Sequence, residues 1–370
     1  DNYILLIMKY NITKDHEKLL LIYDNDIDNN IIEYKNLYDL LSETKKKIDK
    51  YGNNWDRFKK KAHNYEYIYS SSSYKKNVCS INPVASRSYF KIIEILQDNN
   101  INKNYKNILC VAEGPGGFLQ YLVNYYINNI YGITLLSKDN NIPFWSPIIL
   151  NNKNIKLLKG LENDGNIYKL NNIESFCENI KKCDLITSDG GIDFSSNYNN
   201  QEVLSYQLLY CEIYLALNVQ EEGGNFIIKF FDILYYNTLQ LLYLLYLSYE
   251  EIVIIKPHTS RLSNSEKYIV CKNFKNNNKV IELLKTYFNN YNKLYIYIPI
   301  SFINEIKLIN TNYINLQIKN IEYIINSINS INNINSINSI NNYNYNYNYQ
   351  IKLAKEWCIK YNVQINNIFK

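Results

Sequence analysis

Asn107-Ile108-Leu109-Cys110-Val111-Ala112-Glu113-Gly114-Pro115-Gly116-Gly117-Phe118 is the stretch on which the fold turns. An apolar run ending in glycines reads as a buried strand, and residues 117–126 behind it carry apolar side chains at helical spacing. A strand passing through a glycine turn into a helix opens a parallel α/β unit. The glycines let backbone approach a ligand closely, and the helix N-terminus offers N–H groups to a carboxylate or phosphate. Taken alone, such a loop is more often a common strand-to-helix turn. It does not follow the G-x-G-x-x-G spacing, which speaks against a nicotinamide dehydrogenase.

Outward from this loop the pattern repeats. Apolar runs bounded by turn residues at 130–135, 155–158, 184–188, 225–231, 252–256 and 267–272 predict six further strands, with a clear helix over 201–219. Ahead of the loop, Ser86 is placed to cap a helix whose Phe90, Ile93 and Leu96 form an apolar stripe. The runs at 252–256 and 267–272 are joined without room for a helix, so the last strand should be antiparallel. The expected fold is α/β and Rossmann-like: a mostly parallel seven-stranded sheet with N- and C-terminal extensions.

Residues 1–80 read as an N-terminal appendage with helical character over 39–61, residues 81–275 as the main domain, and 276–370 as a C-terminal extension. In that extension the tract 326–349 repeats Asn, Ile, Ser and Tyr, a composition expected to form a loop because it buries too little apolar area to offset the entropy of ordering. The segment 351–361 regains a helical face through Leu353, Trp357 and Tyr361 and should dock back.

Composition bounds the chemistry only loosely. Asn, Ile, Lys and Tyr all have A/T-rich codons, so the net charge of +5 is compatible with nucleic-acid binding without arguing for it. The seven cysteines are scattered and contain no CxxC pair, so neither a disulfide framework nor a metal site is indicated, which predicts an intracellular, nuclear or cytoplasmic setting. The apolar stretch 241–247 is far short of the roughly 20 residues a bilayer span needs. The run 3–8 is too short for a signal peptide.

Three further positions carry chemical signals. Asp189, in Thr187-Ser188-Asp189-Gly190-Gly191, ends a predicted strand at the edge where open α/β sheets bind ligands, although a turn aspartate would look the same. Lys229, in Phe226-Ile227-Ile228-Lys229-Phe230-Phe231, is costly to bury without a partner or a task, unless its stem packs and its head reaches water. Glu266 opens the last strand in Ser263-Asn264-Ser265-Glu266-Lys267-Tyr268 and, like Lys91, would be unremarkable alone.

The order of these contexts changes their weight. Ser86-Arg87-Ser88-Tyr89-Phe90-Lys91, the Gly-Pro-Gly-Gly loop, Asp-Gly-Gly, the strand lysine and Ser-Glu-Lys-Tyr together resemble the FtsJ-like ribose 2'-O-methyltransferases over about 86–272. Within that family, Tyr131-Gly132-Ile133-Thr134-Leu135, Phe231-Asp232 and Lys256-Pro257-His258-Thr259-Ser260-Arg261 are most similar to the mRNA cap-specific branch of eukaryotes and large DNA viruses. The segment 55–67 and the closing Ala354-Lys355-Glu356-Trp357-Cys358 resemble extensions in viral and protist relatives. One departure stands out: the family commonly ends its first strand with an acid, whereas Glu113 here is displaced toward the loop.

The resemblance implies S-adenosylmethionine as methyl donor, capped mRNA as substrate, and other capping enzymes or RNA polymerase as partners. It carries a Lys-Asp-Lys-Glu tetrad onto Lys91, Asp189, Lys229 and Glu266. The donor would lie against Glu113, Gly114, Pro115, Gly116, Gly117, Phe118, Thr134, Asn166, Ile167 and Asp189, with Asn166 beside the adenine unless 164–167 is a plain Asp-Gly turn. RNA phosphates would meet Lys75, Lys76, Arg87, Lys256 and Arg261, all of which could instead be solvated surface cations. With Lys229 as base, a side chain of ordinary pKa about 10.4 must be brought down, a task expected of Lys91 and burial. An rRNA or tRNA 2'-O-methyltransferase, or a non-catalytic RNA-binding relative, would retain much of the same pattern.

Overall fold

The computed structural model describes residues 9–14, 19, 35–70, 77–81, 83–101, 104–125, 129–137, 139, 142–191, 200–332 and 338–370, with side chains other than those of 125 and 331–346. Its elements in chain order are β1 (Lys9–Asn11), α1 (Lys35–Lys46), α2 (Gly52–Lys61), α3 (Ser88–Asp98), β2 (Asn107–Val111), α4 (Gly117–Tyr125), β3 (Asn129–Ile133), α5 (Pro147–Leu150), β4 (Ile155–Leu158), α6 (Leu170–Asn179), β5 (Cys183–Ser188), α7 (Gln201–Val219), β6 (Gln220–Phe230), α8 (Tyr236–Ser248), β7 (Tyr249–Ile255), β8 (Lys267–Phe274), α9 (Asn278–Thr286), α10 (Ile300–Asn332) and α11 (Asn338–Lys360).

The strands form one sheet of eight in the order β1-β7-β8-β6-β5-β2-β3-β4. Strands β2 to β6 run parallel, and β8 is antiparallel to both of its neighbours, β6 and β7. The eighth strand is a correction to the expected seven: β1, from the N-terminal segment, adds antiparallel to β7 by pairing Lys9 with Ile255 and Asn11 with Val253. Three residues are too few to show an alternating pattern in sequence.

From β2 the chain steps outward to β3 and β4, then returns to place β5 on the other side of β2. That reversal makes a crevice beyond the carboxyl ends of β2 and β5, the usual ligand position in such sheets. One apolar layer, with α7 and α8, covers the face carrying Phe226, Ile228 and Phe230; the other, with α3 and α4, covers the face carrying Ile227 and Tyr268. Alternation along β6 therefore sends Lys229 to the α3 side.

Of the tract 326–349 expected to form a loop, residues 326–332 end α10 and 338–349 open α11, while 333–337 lie outside the described residues. Helix α10 buries Phe302, Ile306, Ile309 and Tyr313 against the sheet domain, then Ile314 and Ile318 with Leu41 of α1, and Ile324 and Ile328 with Phe58 of α2. Isoleucines three and four residues apart within an Asn-rich background make a continuous apolar stripe, and this spacing outweighs the polar composition. The docking helix is also longer than residues 351–361, since α11 begins at Asn338. Its Trp357 packs edge-on to Phe90 of α3, with ring centroids 5.9 Å apart. Helix α3 itself starts at Ser88 with Arg87 as N-cap, while Ser86 Oγ accepts the Ser88 N–H at 3.3 Å and bonds the Ser88 hydroxyl at 2.6 Å.

Among the described residues no helix is long and apolar enough to cross a membrane.

Candidate active site

Four side chains from four elements meet at the carboxyl edge of β5 and β6. Because β8 runs opposite to β6, its first residues sit beside the end of β6, and Lys229 pairs in register with Tyr268. Lys91, in the first turn of α3, reaches Glu266 from above, with Nζ 2.9 Å from Oε2 and 2.7 Å from Oε1. Lys229 donates to the Asp189 carbonyl at 2.8 Å and lies 3.2 Å from Asp189 Oδ1. The side chains of all four retain only about a tenth of their accessible surface, from 11% for Lys229 to 14% for Lys91 and Asp189.

The electrostatics correct one expectation. Burial pulls the Lys229 pKa down, but the carboxylates of Asp189 and then Glu266 outweigh it and hold Lys229 above the ordinary lysine value. Lys91, expected to lower it, is itself neutralised by Glu266. Burial works against the Glu266 charge, yet Lys91, Lys229 and Lys256 bring its pKa to about 2. The free site is thus two ion pairs, with Lys229 charged at neutral pH.

Sequence reasoning missed the groups that brace these pairs. Tyr268, one pleat from Glu266 and fully buried, donates its hydroxyl to Asp189 Oδ1 at 2.8 Å. Ser260 donates to Glu266 Oε1 at 2.7 Å. The loop bearing Ser260 is held by Glu94 of α3, whose buried carboxylate accepts the His258 and Thr259 N–H groups and the Trp357 indole N–H, the last two at 2.9 Å. Helix α11 thereby reaches the site through α3. A buried acid at the seventh residue of a helix otherwise rich in apolar side chains was the available signal, since such a charge needs donors. Trp357→Phe keeps the packing and removes one of the three donors, and should cost about 1–2 kcal/mol in unfolding free energy by denaturant titration.

At the glycine loop, Ala112 turns through φ +53° and Gly116 through φ +103°. A Cβ on Gly114 would meet the Pro143 carbonyl oxygen, and one on Gly116 would lie 2.6 Å from Ile149. The Gly114 N–H donates to Thr134 Oγ1 at 3.2 Å, tying the loop to the end of β3. Glycine is therefore required for the chain to pass this close beneath α5 and the segment before it. Gly165, at φ +66°, brings the segment 164–167 against the Thr134 carbonyl and so to the end of β3.

Two expected contacts do not face that crevice. Glu113 is buried, its carboxylate bonded to Thr187 Oγ1 and the Leu119 N–H, and burial first, then Asp189, pushes its pKa well up. It staples α4 to β5. Phe118 is wholly buried against Tyr268, with centroids 5.7 Å apart, and belongs to the core. Asn166 directs Oδ1 to the Tyr168 N–H at 2.9 Å, an Asx turn. Ile167 is buried.

The cations expected at phosphates are largely committed elsewhere. Arg87 and Arg261 both pair with Glu66, at 3.5 and 3.0 Å, fastening the N-terminal segment to α3 and to the loop before β8. Lys256 is buried beneath Glu266, donating to the Asn264 carbonyl and Oδ1 at 2.8 Å each and to the Glu266 carbonyl at 2.5 Å. Burial, opposed by Glu266 and assisted by Lys267 and Lys91, takes its pKa to about 7. In the linear sequence these positions flank the site motifs, but nothing there shows that their charge is already spent. Lys75 and Lys76 lie outside the described residues.

Among the described residues no group of three or more His, Cys, Asp or Glu is placed to hold a metal ion. A cap-specific mRNA (nucleoside-2'-O-)-methyltransferase of Autographa californica nuclear polyhedrosis virus is 30% identical over 244 residues, 65% of this chain and 84% of that protein. Cap-specific mRNA (nucleoside-2'-O-)-methyltransferase 1 of Caenorhabditis elegans is 33% identical over 186 residues, 47% of this chain but only 20% of its own length. A solved structure of a putative ribosomal RNA methyltransferase from Plasmodium falciparum aligns with 51% of this chain and 98% of its own at 26% identity, with a TM-score of 0.39. The sequence model of FtsJ-like methyltransferases matches residues 84–274, from the turn before α3 to the end of β8, just over half of the chain and the whole span that builds the crevice and both ion pairs. The chain belongs to the FtsJ-like methyltransferase family.

Proposed function

We propose that this protein methylates the ribose 2'-hydroxyl of the first transcribed nucleotide of capped mRNA, with S-adenosylmethionine as donor. The observation that carries the reading is the pairing of Lys91 with Glu266 and Lys229 with Asp189 at one edge of the sheet, beside a glycine crevice. The baculoviral relative, matched over 84% of its length, bears the name of that activity.

S-adenosylmethionine supplies a methyl group activated on a sulfonium. The glycine backbone at Gly114 and Gly116 and the carboxylate of Asp189 suit its zwitterionic, cationic end, while Glu113 has turned inward and offers it nothing. The ribose hydroxyl is a poor nucleophile, and Lys229 is the group placed to take its proton. In the free site Lys229 is an ammonium, so it must first shed its own proton. Positive charge gathering near Asp189 would favour that loss. Glu266, ionised throughout the working range, keeps Lys91 aimed at the same point and gives the hydroxyl an anionic neighbour.

The pH dependence follows in sign. A lysine pKa held above its ordinary value leaves the basic form scarce at neutrality, growing tenfold per pH unit. For the free enzyme, kcat/KM should therefore climb with unit slope from about pH 7 to beyond pH 9. A plateau already reached at pH 7.5 would remove Lys229 from the role of base. The reaction itself is tested by supplying labelled donor with short RNAs that are capped, uncapped, or capped and already 2'-O-methylated. Label should enter only the first, at the ribose of the first nucleotide. Equal labelling of uncapped RNA would move the substrate to another RNA class.

A further inference from the structure

Behind the Asp189 turn stands an acid that the mechanism above leaves unused. Glu212, on α7, is 1% exposed, and its carboxyl accepts the Gly190 N–H. Its Oε1 is buried without a hydrogen-bond partner, and a Cβ on Gly190 would run into that oxygen. A Cβ on Gly191 would lie 3.2 Å from Lys229 Nζ. Gly190 and Gly191 are thus wedged between the carboxyl on one side and the ammonium on the other. The local sequence Asp-Gly-Gly is what this close approach requires, because any side chain at either position would separate the two groups.

We infer that Glu212 is a positioning residue for the base: from α7 it fixes the Gly190 turn that presents Asp189 to Lys229, and it lends the Lys229 ammonium a further carboxylate. The inference rests on the reading of Lys229 as base. The ionisable groups around Glu212 are Lys229 from β6, Asp189 from the end of β5, Tyr168 ahead of α6 and Cys211 on its own helix. Asp189 in turn faces Glu113 from the glycine loop. Burial, countered by Lys229 and reinforced by Asp189, raises the Glu212 pKa to about 8. Over the range in which Lys229 loses its proton, Glu212 is therefore an anion, and it is one of the charges that raise the lysine.

Two functions can then be separated by substitution. Glu212→Gln keeps an acceptor for Gly190 and removes the charge; Glu212→Leu removes both. With Gln, the limb of kcat/KM that belongs to Lys229 should move about half a unit or more toward lower pH, so that the rate at about pH 9 and above, where wild-type Glu212 is ionised, rises roughly threefold. With Leu, kcat should fall at least about tenfold while KM for RNA changes less than about threefold, because the turn is lost and the RNA surface is not. A merely structural role would lower thermal stability in both variants and leave the pH limb where it was.

The measurement that separates this inference from the reaction assigned above uses no turnover. Lysine side-chain carbons, isotopically labelled, are titrated by NMR in wild type and Glu212→Gln, with the Lys229 signal assigned by its absence in Lys229→Arg. A Lys229 midpoint lower in Glu212→Gln supports the coupling even if no RNA is methylated, and identical midpoints overturn it even if the wild type is active. If Glu212→Leu fails to fold, the Gln variant still decides the question.

Discussion

Lys229→Ala should lower methyl transfer by at least about 10³-fold, with donor binding intact. General-base catalysis is worth roughly 10² to 10⁴ in rate, and truncation here also removes the cation that orders Asp189. The fold should survive, because Asp189 keeps the Tyr268 hydroxyl at 2.8 Å and Glu266 keeps Lys91 at 2.7 Å. Lys229→Arg should be equally inactive, although it restores the charge, since guanidinium does not release a proton in this range. The two variants together separate a base from an electrostatic anchor: an anchor would be rescued by arginine and a base would not. Single-turnover transfer to capped RNA, with donor affinity measured in parallel by calorimetry, reads both quantities. Transfer within tenfold of wild type in Lys229→Ala would assign the proton to another group.

Much of the sheet is legible in the sequence because its strands are buried on both faces and so read as continuous apolar runs. Residues 155–158 are a strand as expected, and 201–219 are a helix with the expected ends. Elsewhere the ends shift by a few residues, as at β6, where the strand begins at Gln220 ahead of two glycines. What stayed hidden had physical reasons. The edge strand β1 is three residues long, and α10 speaks through isoleucine spacing that an A/T-biased background conceals. Charge was the least legible property. Arg87, Arg261 and Lys256 look like phosphate ligands in a linear reading, yet Glu66 and Glu266 lie close enough in space to claim them. The same blindness applies to Lys229: a sequence shows that a lysine is buried, but which carboxylates surround it, and hence the direction of its pKa, depends on the packing of α3, β5 and β8.

The second large effect concerns stability as well as rate. Glu266→Ala should destabilise the fold by roughly 3–5 kcal/mol, because it strands cations that were buried in its favour. Lys91 loses its ion pair, Lys256 loses a carboxylate that supports its charge, and the Ser260 hydroxyl loses its acceptor. Glu266→Gln preserves shape and one acceptor, so it isolates the charge. The Glu266 pKa is depressed in the fold, from an ordinary 4.5 to about 2. Its stabilisation is thus fully present above pH 4.5 and disappears as pH falls through about 2, a difference of about 3 kcal/mol. Denaturant unfolding of wild type and Glu266→Gln should therefore show a gap that is present at about pH 6, shifts around pH 7 where Lys256 without its carboxylate loses its proton more readily, and narrows steadily below pH 4.5. A gap independent of pH would mean that shape and not charge is what Glu266 contributes. Methyl transfer should be lost in both variants across the whole range, since Lys91 no longer has a fixed direction.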